Sequence, residues 1–383
     1  MINKGRTAAI YVILAVIIMS LLFLYAGHFL FSENKPDAVE STSSDSDKPA
    51  PAEPPPVEYI HLSETINGNR QEIHILEADV SHPDIMISPV LSQDLIYGFE
   101  NLSDMAARKH AYAAVNGGFF TQFGLPSGMV VIDGSLVTVS KGKFPVFVVS
   151  GGKAALKEIE SKLWLEGQSG KLEIHQLNRP AREGEAVAYT PIYGTMNRAE
   201  AENITITIKK GVITDIDIFT DAVEIPQDGM LVSLFGSGYS KTDDLPFKTG
   251  DAVKLVHEPQ MAPDTQAYEC GSWILKDGSV VIGDKDEWVG VLTNQDPRTA
   301  VGIKRNGNVV FIVVDGRQPG YSSGMTGREL GGFLADYGVV NAAMLDGGAS
   351  SEMILNGVIV NKPSFKGEER PLAGGLLIIR NQQ

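Results

Sequence analysis

Twice in this chain a short run of small residues ends on a polar side chain followed by two glycines. Tyr112-Ala113-Ala114-Val115 leads into Asn116-Gly117-Gly118, and Ala342-Ala343-Met344-Leu345 leads into Asp346-Gly347-Gly348. Small side chains let a strand lie close beneath a helix, and paired glycines let the backbone turn where a Cβ would clash. Each run also follows a helical stretch. The clearer one opens at Thr326-Gly327-Arg328-Glu329, where Thr326 caps the first turn and Glu329 reaches back to it. That helix is predicted to continue through Leu330, Leu334 and Tyr337 and to stop at Gly338. A fold that accommodates both runs brings two polar strand ends together as converging loops.

Most of the remaining periodicity is that of strands. Glu72-Ile73-His74-Ile75 alternates with period two, as a half-buried strand does, and Ile85 and Ile87 resume the pattern after a turn. Residues 144–149, 204–208, 212–219, 230–235, 253–256, 309–314 and 376–379 read the same way. Helical signals are few. The expected class is α+β, with twisted mixed β-sheets and a few packed helices, preceded by one N-terminal transmembrane helix.

That last expectation rests on residues 8–31, a run of about 24 residues without a formal charge, following Lys4 and Arg6. Such a run is long enough to cross a bilayer, and the flanking charges place the short amino end inside. A cleaved signal peptide is the rival reading, with a shorter apolar region. Residues 32–58 hold seven acids, two lysines and many Ser and Pro, so they cannot bury enough surface to order themselves. The expected domains are therefore a cytoplasmic tip and signal anchor at 1–31, an acidic linker at 32–58 and one folded domain at 59–383. Residues 151–264 are read as a lobe inserted into that domain. A net charge of −15 argues against nucleic acid as a partner, because a phosphate backbone would be repelled. Cys270 is the only cysteine, so no disulfide can form within the chain.

Four segments combine glycine with polar residues at strand ends. They are Asn116-Gly117-Gly118-Phe119-Phe120, Asp296-Pro297-Arg298-Thr299-Ala300-Val301-Gly302, Asp315-Gly316-Arg317 with Gly324-Met325-Thr326, and Leu345-Asp346-Gly347-Gly348-Ala349-Ser350-Ser351. Each alone is a weak signal, since Asp-Gly is simply a good turn. In this order they resemble the phosphodiester glycosidase family, from about Tyr59 to Arg370-Pro371. There are departures. Ala349 replaces a third glycine, Cys270-Gly271-Ser272-Trp273 replaces a glycine-rich loop, and Glu352 stands where the family often has a small polar residue, as an added carboxylate.

The resemblance implies cleavage between an anomeric carbon and a phosphate oxygen. Because a phosphomonoester leaves readily, the protein need only hold the diester's charge, stabilise a cationic sugar and deliver water or a nucleophile. Arg298, Arg317 and Arg370 suit the first task, since a guanidinium fork pairs with two phosphate oxygens. Asp346, with Asp315 in support, suits the others. Asn116 and Gly117 would meet sugar hydroxyls, and Gly347, Ser350 and Ser351 would donate to phosphate. Trp273 is a candidate for stacking on a sugar. No cofactor is demanded, the seven histidines lack zinc-type spacing, and whether a divalent ion assists is left open. Gly320-Tyr321-Ser322-Ser323-Gly324 fits a serine-hydrolase elbow by letter only, because about six residues separate its serine from the strand end. The expected protein is an extracytoplasmic, membrane-anchored hydrolase acting on a phosphate-containing glycan or teichoic-acid-like polymer. A non-catalytic cell-envelope glycan-binding protein is the second reading.

Overall fold

The computed structural model describes residues 55–236 and 238–381. The run at 8–31, expected as a membrane helix, lies outside the described residues, as does most of the linker. Among the described residues no helix is long and apolar enough to cross a membrane.

The fold class needs correcting. Strands account for 48% of the structure and helices for 9%, with two α-helices, so the architecture is mostly β rather than α+β. The reason lies in what covers the sheets. Sheets here are covered largely by one another, and helices are needed at only two faces.

The central sheet has seven strands in the order Val57–Ile66, Asn69–Ala78, Val309–Val314, Arg298–Lys304, Val339–Met344, Trp273–Lys276 and Ser279–Val280. Its first two strands form a hairpin through Asn67-Gly68, both with positive φ, the turn that matches the twist of paired strands. Val309–Val314 is buried throughout, and its alternation sorts it between two cores. Val309, Phe311 and Val313 pack with Phe147 and Leu376, whereas Val310, Ile312 and Val314 pack with Leu330 and Leu334 of the helix Gly327–Asp336. That helix carries the predicted capping box: the Thr326 hydroxyl accepts from the Glu329 amide at 3.1 Å, and the Glu329 carboxylate accepts from the Thr326 amide at 2.9 Å. Gly338, at φ +90°, ends it.

A second sheet runs in the order Val358–Ile359, Met353–Leu355, Ala113–Asn116, Gly374–Arg380 and Ile85–Leu91, with the short helix Leu102–Arg108 on it through Leu102, Met105 and Ala106. A third contains Gln266–Glu269 between Val130–Ile132 and Lys141–Ser150. Two further sheets are built wholly from residues 162–258 around a core that includes Leu165, Ile206 and Val232. The segment expected as an inserted lobe thus holds sheets of its own. Strand Lys153–Glu160, inside those bounds, instead pairs with Lys141–Ser150.

Candidate active site

The two glycine-pair loops meet although their strands belong to different sheets. The side-chain amide of Asn116 donates to the Asp346 carbonyl at 2.7 Å and to the Gly117 carbonyl at 3.1 Å. Its oxygen accepts from the Thr299 hydroxyl at 2.8 Å and the Glu352 amide at 3.1 Å. The Asp346 amide returns a bond to the Gly117 carbonyl at 3.1 Å. Both donors and both lone pairs of the Asn116 amide are used, and the residue is fully buried. It joins the sheets and has no capacity left for a sugar.

Glycine is required here by close approach. A Cβ on Gly117 would lie 2.8 Å from the Tyr268 hydroxyl, and one on Gly118 would lie 2.8 Å from the Glu269 carbonyl. On the other loop, a Cβ on Gly347 would lie 3.0 Å from the Pro297 carbonyl, while Gly348 takes φ +62°.

Asp346 itself keeps access to solvent, as do Gly347, Gly348 and Ala349. Its carboxylate accepts from the Ser350 hydroxyl at 2.6 Å, and that hydroxyl oxygen accepts from the Arg370 guanidinium at 2.8 Å. Arg370 lies over Phe120, 5.3 Å from the ring centre. Loss of hydration raises the Asp346 carboxyl above the usual carboxylate range, and the Ser350 bond, the Arg370 charge and the Gly347 amide offset part of that rise. Arg317 lies beside Gly348 of the same loop. Its guanidinium nitrogens lie 3.2 and 3.3 Å from where a Gly348 Cβ would be, and its Nε donates to Asp296 at 2.8 Å. About half of the Arg317 side chain is exposed, so its remaining donors are free for an anion.

Four expected site residues are placed otherwise. Arg298 is 2% exposed, with Nε on the Met325 carbonyl and Nη2 on the Asn294 carbonyl, both at 2.8 Å. It braces the loops from beneath and is not a phosphate clamp. Asp315 is buried, and Asn361, the Lys362 amide and Tyr321 all donate to it, with His74 at 3.4 Å. Its carboxylate anchors the neighbouring loop rather than facing a ligand. Ser351 is buried, and among the described residues its hydroxyl has no partner. Trp273 is held elsewhere, donating to Glu158 at 2.9 Å.

Two further groups are buried nearby: Tyr268, which no motif marked, and Glu352, the added carboxylate noted in the sequence. Tyr268 is buried beneath Gly117, and among the described residues its hydroxyl has no acceptor. Burial and the Asp346 charge both push its phenol up. Glu352 is buried with one carboxyl oxygen unpartnered, and its carboxyl meets that of Glu369. Burial, then the Glu369 charge and contact, push Glu352 up to about 9. Among the described residues no three His, Cys, Asp or Glu side chains group to hold a metal ion.

This constellation of Asp-Gly-Gly loop, serine and flanking arginines lies within residues 202–379, which match the phosphodiester glycosidase family. Over those residues the chain is similar to that family. Asn116 and Gly117 precede the matched stretch. Among curated relatives, the N-acetylglucosamine-1-phosphodiester alpha-N-acetylglucosaminidase of Bos taurus is 34% identical over 106 residues, 24% of this chain and 19% of that protein. An uncharacterized SPbeta prophage-derived protein of Bacillus subtilis is 29% identical over 160 residues, 40% of this chain and 24% of that protein. The chain thus matches about a quarter or less of these relatives' lengths. The crystal structure of a hypothetical protein from Synechocystis shares the fold, with a TM-score of 0.72 at 19% identity, covering 86% of this chain and 65% of that one.

Proposed function

We propose that this domain hydrolyses the bond between an anomeric carbon and a phosphodiester oxygen. The observation that carries the reading is Asp346, a partly exposed residue whose carboxylate is linked to Arg370 through Ser350, with Arg317 beside Gly348 of the same loop. Arg317 and Arg370 hold the phosphate oxygens, and their charge favours the phosphomonoester as it departs. Asp346, as its carboxylate, takes the proton of a water whose oxygen bonds to the anomeric carbon, or attacks that carbon itself to form a glycosyl ester that water then hydrolyses, releasing the sugar and restoring the carboxylate. In either case the C–O electron pair leaves on the phosphate oxygen. Little general acid is needed, because a phosphomonoester is a far better leaving group than a sugar alkoxide.

The substrate proposed is a phosphate-containing glycan, in keeping with the activity named for the bovine relative. An extracytoplasmic location is part of the proposal and rests on the sequence of residues 1–58 alone. Asp346→Asn preserves shape and the Ser350 contact while removing the base. It is expected to abolish sugar release from methyl N-acetylglucosamine-1-phosphate, read by chromatography, with an unchanged melting curve. Full turnover in that variant ends the assignment.

A further inference from the structure

A concavity lies apart from the Asp346 loop. It is a half-open cleft of about 950 Å³ between the 162–258 sheets and two segments of the main body, and its lining includes Tyr97, Phe123, Tyr189, Arg182, Arg198 and Tyr239. Nothing in the chemistry derived above uses it.

Its floor is fixed. The Tyr97 and Tyr193 hydroxyls are hydrogen-bonded at 2.8 Å, their rings meet edge-on at 5.1 Å, and Tyr189 packs on Tyr193 at 4.8 Å. The Ile96 amide donates to the Ile192 carbonyl at 2.8 Å and the Gly98 amide to the Phe123 carbonyl at 3.1 Å, which ties both segments to the lobe's edge. Tyr97 and Arg198 both take positive φ, +82° and +56°, a conformation disfavoured for such side chains. The two strained residues stack on each other, with the guanidinium 4.2 Å from the ring centre. Neither Arg198 nor Arg182 makes an ion pair among the described residues. Phe123 is 60% exposed on the wall, an apolar ring left in water.

The lining selects a ligand class. Aromatic faces take the C–H faces of sugars, guanidinium forks take phosphates, and Glu183, Glu200 and Glu202 accept from hydroxyls. Position also matters. Phe123 follows Gly117 by six residues, so the cleft wall stands no more than about 21 Å from the loop that bonds Asp346.

We propose that this cleft is a distal subsite that holds the chain of a phosphate-bearing glycan whose terminal phosphodiester lies at Asp346. The inference rests on the activity proposed above, and its test separates the two. The probes are poly(N-acetylglucosamine 1-phosphate), a chain of phosphodiester-joined sugars, and the short diester methyl N-acetylglucosamine-1-phosphate. Affinity electrophoresis of the full chain in gels containing the polymer reads binding without turnover, and product release from both probes reads catalysis. Phe123→Ala and Arg198→Gln, alone and together, are expected to weaken polymer retention at least fivefold and raise KM for the polymer as much. The kcat/KM on the short diester should not change. Equal retention and equal KM in the double variant overturn the subsite, as does a polymer that the unsubstituted protein does not retain. Retention that depends on Phe123, with no turnover of either probe, supports the subsite and refutes the catalytic reading instead.

Discussion

The Asn116 loop and the Asp346 loop follow the same sequence pattern and meet face to face, yet they do opposite work. Asn116 is fully buried with every hydrogen-bonding position occupied, whereas Asp346 keeps solvent access and shares its carboxylate with one serine. A polar residue before two glycines therefore marks a junction, and its surroundings decide whether it locks or reacts. A group whose partners are all internal has nothing left to offer a substrate.

Substitutions can break this contrast. Asp346→Asn should show the largest effect on activity, a loss of about a thousandfold in kcat with stability nearly unchanged, since it removes a proton acceptor and little packing. Asn116→Ala should do the reverse in kind. It strands the Thr299 hydroxyl, the Glu352 amide and the Asp346 carbonyl, so about 3 kcal/mol of stability should be lost in denaturant titration, and activity with it. If Asn116→Ala melted normally while Asp346→Asn did not, the roles assigned here would be exchanged.

Smaller effects sharpen the picture. Arg317→Ala should raise KM about tenfold, a loss consistent with one partly exposed charged contact. Arg370→Gln removes a charge that holds the Asp346 carboxyl down, so the acid limb of kcat/KM should move to higher pH. Glu352 gives a pH effect on stability alone. Its folded value is raised from the ordinary 4.5 to about 9, so its contribution is fully present below about 4.5 and is lost as pH rises towards 9. Glu352→Gln should flatten the melting temperature across that window. An unchanged slope would show that Glu352 is ionised in the folded state.

Much of this was readable in the sequence because local patterns determine it. Period-two runs fall in strands, the Thr326–Glu329 box caps its helix, and the paired glycines sit where backbones touch. What was not readable depends on burial set by distant residues. Arg298 and Arg317 look alike in motif context, but one is enclosed by the Met325 and Asn294 carbonyls and the other is half exposed. Asp315 ends a strand as Asp346 nearly does, yet Asn361 and Lys362 come back to cover it. Tyr268 lies mid-strand with no turn signal, and only the absence of a Cβ on Gly117 lets it reach the site. The helix content was overcalled because sequence alone does not show that sheets would cover sheets.

Three of the four bonds of the Asn116 amide reach residues 299, 346 and 352, nearly two hundred positions and more further along the chain. A ribosome delivers Asn116 long before any of them. No fragment ending before residue 352 can close the clamp, so the carboxylate has no fixed setting until the whole domain has assembled. The site is thus switched on by completion of folding itself, and a nascent or clipped chain carries none of it.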